Sequence, residues 1–200
     1  GDPAKRAGNE FAFMMQAIQN IELLKGYEIQ KIVTGCPHCF NTLKNEYPEL
    51  GADFEVVHHT QLINQLIREG RLLLKGGGKF DGKKITFHDP CYLGRANDVY
   101  EAPREVLEKL DAELVEMKRS KAKGLCCGAG GAQMFKDAEK GNKEINIERT
   151  QDAIEVNADY IATGCPFCNT MMTDGIKHFE KEEKVKVLDI AELIANAADL

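Results

Sequence analysis

The chain has 200 residues, of which 43% are hydrophobic and 29% charged, and its 26 Lys and Arg against 32 Asp and Glu leave a net charge of -6. That is the composition of a soluble globular protein with enough chain to bury a sizeable core. The acidic balance, without a basic stripe, argues against nucleic acid as the main partner, and no apolar run approaches the ~20 residues needed to span a bilayer.

In chain order, the pattern predicts a helix over about residues 7–25, on which Phe11, Met14, Met15 and Ile18 fall at i, i+3, i+4 and i+7. Strand 29–34, helix 38–46, strand 54–57 and helix 60–69 follow, and Lys75–Lys79, with its three glycines, reads as a linker. Beyond it the pattern predicts strand 84–88, helix 101–110, strand 113–117, a long loop, helix 138–157, strand 159–163, helix 167–179, strand 185–188 and helix 190–198. Alternating strands and helices predict an α/β fold with parallel strands.

The chain also repeats itself. Lys31–Cys39 (KIVTGCPHC) and Tyr160–Cys168 (YIATGCPFC) are one element used twice, each followed by a further strand and helix. The expected architecture is therefore two tandem pseudo-symmetric repeats, 1–78 and 79–200, each a small, mainly parallel sheet flanked by helices.

Seven cysteines are the outlying number. An odd count cannot pair completely as disulfides, and nothing else marks secretion. Reduced thiols in a cytoplasmic protein, serving metal or redox chemistry, are the expectation. Five of them, Cys91, Cys126, Cys127, Cys165 and Cys168, are spaced C-x34-C-C-x37-C-P-x-C in the second repeat. Cys165 follows a strand and precedes Pro166, which suits a first helical position, so its thiol sits at a helix start that favours thiolate. Cys168 shares that turn, and the two form a clamp for a soft metal. Side chains of the adjacent Cys126 and Cys127 diverge, which suits two different irons of a cluster better than one tetrahedral ion. Gly128, Gly130 and Gly131 let the backbone pass close to a bulky inorganic core.

These segments, HDPCYLGR, GLCCGAGG and ATGCPFC, resemble the CCG domain, the cysteine-rich domain of heterodisulfide reductase and related iron–sulfur oxidoreductases, whose pattern is roughly C-x31–39-C-C-x35–36-C-x-x-C, in tandem. The second spacing here is longer by about one residue. The resemblance covers nearly the whole chain. It implies an iron–sulfur cluster of the four-iron, non-cubane type held by Cys91, Cys126, Cys127, Cys165 and Cys168. It also implies electron transfer to a disulfide, or between a flavoprotein and a quinone. The chain is then part of a larger oxidoreductase, inactive alone, with ferredoxin-like, flavoprotein or membrane partners, and its membrane association runs through a missing N-terminal part or a partner. Gly1 falls where the glycine of a first CCG is expected, which leaves Cys36 and Cys39 as remnants of a second site.

Two other readings compete. A structural zinc site, in an interaction domain, uses four of the five cysteines and leaves one unexplained. A CxxC thiol–disulfide oxidoreductase leaves Cys91 and the vicinal pair idle. Among the remaining features, His38 reads as an exposed loop residue, His58 and His59 as a cap or surface pair matching Leu188 and Asp189, and His88 as either an orienting partner for the Cys91 loop or local packing. Asp89 reads as a cap. Gly76–Gly78 lacks the helix a phosphate loop requires, and Lys118–Lys123 reads as a solvated loop that docks an acidic redox partner.

Overall fold

Both copies of the repeated run fold as strands that stop where Gly-Cys-Pro begins. The computed structural model describes residues 1–74, 78–137 and 140–198. Its elements are α1 (Asp2–Arg6), α2 (Glu10–Gly26), β1 (Lys31–Thr34), α3 (Pro37–Asn41), β2 (Glu55–His58), α4 (His59–Arg68), β3 (Lys84–Phe87), α5 (Glu101–Leu107), β4 (Glu113–Leu114), α6 (Ile145–Glu155), β5 (Tyr160–Thr163), α7 (Pro166–His178), β6 (Lys186–Asp189) and α8 (Ile190–Ala198). β1 and β2 form a two-stranded parallel sheet, and the other strands form a four-stranded parallel sheet in the order β4-β3-β5-β6. The α/β fold expected from the alternation is the one observed.

The registers superpose the two copies. Thr34 pairs with His58 at the end of the first sheet, and Thr163 with Asp189 at the end of the second. His58 is thus the counterpart of Asp189, one place removed from the sequence pairing. Chemistry supports the match: His58 and Asp189 each accept from the backbone N–H two residues on, and each donates its own N–H to a side chain three residues on, Gln61 or Glu192. Both are helix N-caps closed by a reciprocal partner.

The halves share a core. Phe80, Ile85, Phe87, Val106, Leu107, Ala162, Ile190 and Leu193 are buried together, and Ile63 and Ile67 of α4 pack on them from the first half. Burying such a side chain fully contributes about 1.5–3 kcal/mol, so the seam belongs to the folded unit. A second core, of Phe13, Ala17, Ile21, Tyr47, Ala52 and Phe54, sits under α2.

Several sequence expectations change. The helix expected over 7–25 is two, because Gly8 takes a left-handed φ of 86° and Asn9 then caps α2 by accepting from Ala12. The stripe Phe11, Met14, Met15, Ile18 faces outward, with Phe11 76% exposed, and Phe13, Ala17 and Ile21 are buried instead. α2 is apolar on both sides, so periodicity did not choose the face. Helix 38–46 is α-helical only to Asn41, widens into a π turn over Thr42–Glu46 and tightens into a 3-10 turn at Tyr47–Leu50, where Pro48 ends regular bonding. Helix 138–157 runs only from Ile145 to Glu155, and strand 113–117 pairs at Glu113 and Leu114. Residues 75–77 of the expected linker and 138–139 of that helix lie outside the described residues. Among the described residues no helix is long and apolar enough to cross a membrane.

Candidate metal centre

The carboxyl ends of parallel strands deliver the thiols. Cys36 leaves β1 in extended conformation as the N-cap of α3, and Cys165 leaves β5 in the same way as the N-cap of α7, each with proline next. Proline has no N–H to leave unpaired there. Cys39 and Cys168 lie on the first turns that follow. Cys91 sits in the loop beyond β3, and Cys126 and Cys127 on the long loop before α6. Gly128 has a φ of 92°, a left-handed bend that an L side chain strains to adopt, and it donates its N–H to Cys126 Sγ at 3.3 Å.

The seven thiols lie close enough to perturb one another in the order Cys91, Cys126, Cys127, Cys168, Cys165, Cys36, Cys39, and Cys168 Sγ donates to Cys127 Sγ at 3.4 Å. None is in a disulfide. Within the vicinal pair, Cys126 and Cys127 stand against each other, with Cys91 beside Cys126 and Cys168 beside Cys127. Cys36, from the first half, stands against its own counterpart Cys165 across the seam.

Acidity differs from thiol to thiol: Cys126 and Cys165 are lowered and the other five raised. Hydrogen bonds from Cys127 and Cys91 push the Cys126 thiol down. Bonds from Cys168 and Cys36, with the N–H groups at the start of α7, lower Cys165 to about 4. Their neighbours move the other way: Cys127 rises to about 12 because Cys126 takes its proton in a hydrogen bond, and Cys91, Cys36, Cys39 and Cys168 rise for the same reason with burial added. Cys126 and Cys165 are therefore the thiols that deprotonate most readily. Such a row of soft donors fits iron or another thiophilic metal, whose binding displaces the remaining protons.

A polar layer fixes the array from behind. Asp89, two residues before Cys91, is no cap: it accepts from Arg104 at 2.8 and 3.0 Å and from the Lys121 N–H at 2.7 Å. Arg104 also donates to Glu116 at 2.6 and 3.0 Å. Arg149 is fully buried and donates to His88 Nδ1 at 3.0 Å and to the Arg119 carbonyl at 2.6 Å. His88 is held neutral, with its pKa lowered to about 3 by burial and then by Arg149. A ring nitrogen of His88 and the sulfurs of Cys127 and Cys168 all lie within 4.8 Å of one another. Sequence reasoning passed over Arg104 and Arg149 because arginine is normally a surface residue. His38 is not exposed: it is buried, with Nδ1 2.8 Å from Asp2.

A cavity of about 680 Å³ opens beside Cys36, on the seam, lined by Thr34, Gly35, His59, Pro166 and Asp189 among others. His59 Nε2 meets Asp189 at 2.9 Å across it.

A family model for the cysteine-rich domain, CCG, matches residues 1–44 and 85–173. The chain belongs to the CCG family. This CCG chain is similar to a probable iron–sulfur-binding oxidoreductase, FadF, of Bacillus subtilis, with 46% identity over 98% of the chain and 28% of the relative. It is 42% identical to an EtfAB:quinone oxidoreductase of Syntrophomonas wolfei, over all of the chain and 28% of that protein. It is 37% identical to one polypeptide of the dihydromethanophenazine:CoB–CoM heterodisulfide reductase of Methanosarcina barkeri, over 92% of the chain and 44% of that polypeptide. The CCG chain thus spans less than half the length of these relatives.

Proposed function

We propose that this chain is the iron–sulfur electron-transfer module of a larger oxidoreductase, and that Cys91, Cys126, Cys127, Cys165 and Cys168 hold a four-iron, non-cubane cluster. The observation that carries this reading is the continuity of the sulfur array. Thiols from three stretches of the second repeat converge, five in number, one more than a single tetrahedral zinc requires. The bound cluster supplies one-electron chemistry. The chain's own part is to hold the sulfurs in register, keep Cys126 and Cys165 ready as thiolates, and bury the inner end of the array against Met134, Phe167 and Met171.

In the whole protein, electrons pass from a flavoprotein to a quinone. The quinone-linked relative is 42% identical and the heterodisulfide-linked one 37%, which favours the quinone over a disulfide acceptor. The cavity beside Cys36 gives a small acceptor access to the array, with the His59–Asp189 pair at its wall. Membrane contact belongs to the partners or to other parts of the protein.

Anaerobic reconstitution followed by iron and acid-labile sulfide analysis and low-temperature paramagnetic resonance tests the assignment. We expect about four irons and four sulfides per chain, and loss of the resonance signal in Cys127→Ser. Stoichiometric zinc without sulfide, undisturbed by Cys127→Ser, refutes it.

A further inference from the structure

His88 is 1% exposed and fixed at both ends. Its backbone N–H donates to the Ala162 carbonyl at 2.9 Å, which ties it to the end of β5. Its ring receives the Arg149 Nε–H on Nδ1 at 3.0 Å, and Arg149 is itself held by the Arg119 carbonyl at 2.6 Å and Asp152 at 3.2 Å. A guanidinium has no lone pair to offer. Nδ1 must therefore be the acceptor, and the proton of the neutral ring is on Nε2.

That Nε2–H has no hydrogen-bond partner among the described residues, although it is fully buried. Buried donors are almost always satisfied, and an exception points to a missing acceptor. The acceptors at hand are sulfurs, since a ring nitrogen of His88 lies within 4.8 Å of both Cys127 and Cys168. A protonated nitrogen cannot ligate a metal, so the ring's part is donation.

We propose that His88 is a positioning residue whose Nε2–H donates to a sulfur of the bound cluster, with Arg149 locking the tautomer that makes this possible. This rests on the cluster assignment above. An N–H aimed at cluster sulfur stabilises the more negative, reduced state, and hydrogen bonds to sulfur are one of the protein's levers on reduction potential. His88 therefore raises the potential. Arg149 does so through His88, without touching the sulfurs.

The test uses anaerobically reconstituted chain, with iron and sulfide measured first. Wild type lacking both overturns the cluster reading and this inference with it. With both present, potentiometric titration followed by paramagnetic resonance isolates the inference. In His88→Leu the redox equilibrium is expected to shift about tenfold toward the oxidised cluster, about 59 mV downward for one electron. In Arg149→Met, where the ring is free to change tautomer, the shift keeps that direction and is smaller. An unmoved potential in His88→Leu at wild-type iron content overturns the proposal. Should either variant fail to fold, pulsed resonance on wild type labelled with 15N-histidine decides. A weak nitrogen coupling with an exchangeable proton supports donation; no coupling, or the strong coupling of a directly bound nitrogen, overturns it.

Discussion

Arg104→Met separates the two jobs of the layer behind the sulfurs, stability and loop placement. Arg104 and Asp89 have side chains only 5% and 4% exposed. The substitution keeps most of the volume and removes both guanidinium N–H groups from Asp89, which retains only the Lys121 N–H. Two hydrogen bonds to a charged group are worth about 1.5–3 kcal/mol each. Removing one member of a buried ion pair costs about 3–5 kcal/mol, because the survivor is left uncompensated. We expect a loss of about 3–5 kcal/mol in urea unfolding of the reduced, metal-free chain. At about 2–4 °C per kcal/mol for a chain of this size, Tm falls by about 6–20 °C. Adding Asp89→Leu removes the stranded carboxylate and should recover about 1–3 kcal/mol, the coupling expected of residues in one network. Iron loading should fall with Arg104→Met, since Asp89 holds the loop that ends in Cys91. A loss under about 1 kcal/mol, with full iron content, would refute the idea that this pair anchors the site.

Two further outcomes follow from the packing. His58 is buried and held to a pKa of about 3, by burial and then by His59, against an ordinary 6.5. A depressed pKa means the unfolded chain binds the proton first, so stability is complete above pH 6.5 and declines by up to about 1.4 kcal/mol per pH unit between 6.5 and 3. His58→Asn keeps an N-cap and should remove that part of the slope; an unchanged slope in urea titrations across this window rejects the assignment. Gly175 lies where α7 crosses α6, and a Cβ there would overlap the Thr150 side chain. Gly175→Ala should cost about 1–3 kcal/mol despite its better helix propensity, and a stabilised variant by thermal unfolding would show that the helices separate freely.

The strands ahead of both CPxC motifs and their parallel pairing were legible because each rests on local pattern: β-branched runs with a proline after the thiol. The contact between Cys36 and Cys165 was not, because it depends on how the halves pack. α6 hid its role for another reason. Its buried face carries Asn146, Arg149, Thr150 and Asp152 beside Ile147 and Ala153, so the polar residues that brace the site mask the apolar period. The outward stripe of α2 is the converse case, a sound helical period on the face that the core does not use.

Where the two repeats touch, Cys36 stands against its counterpart Cys165, and the histidine after one strand reaches the aspartate that closes the other. Each copy supplies part of its twin's immediate surroundings, so a side-chain change at the CPHC turn of the first repeat is felt at the CPFC turn of the second.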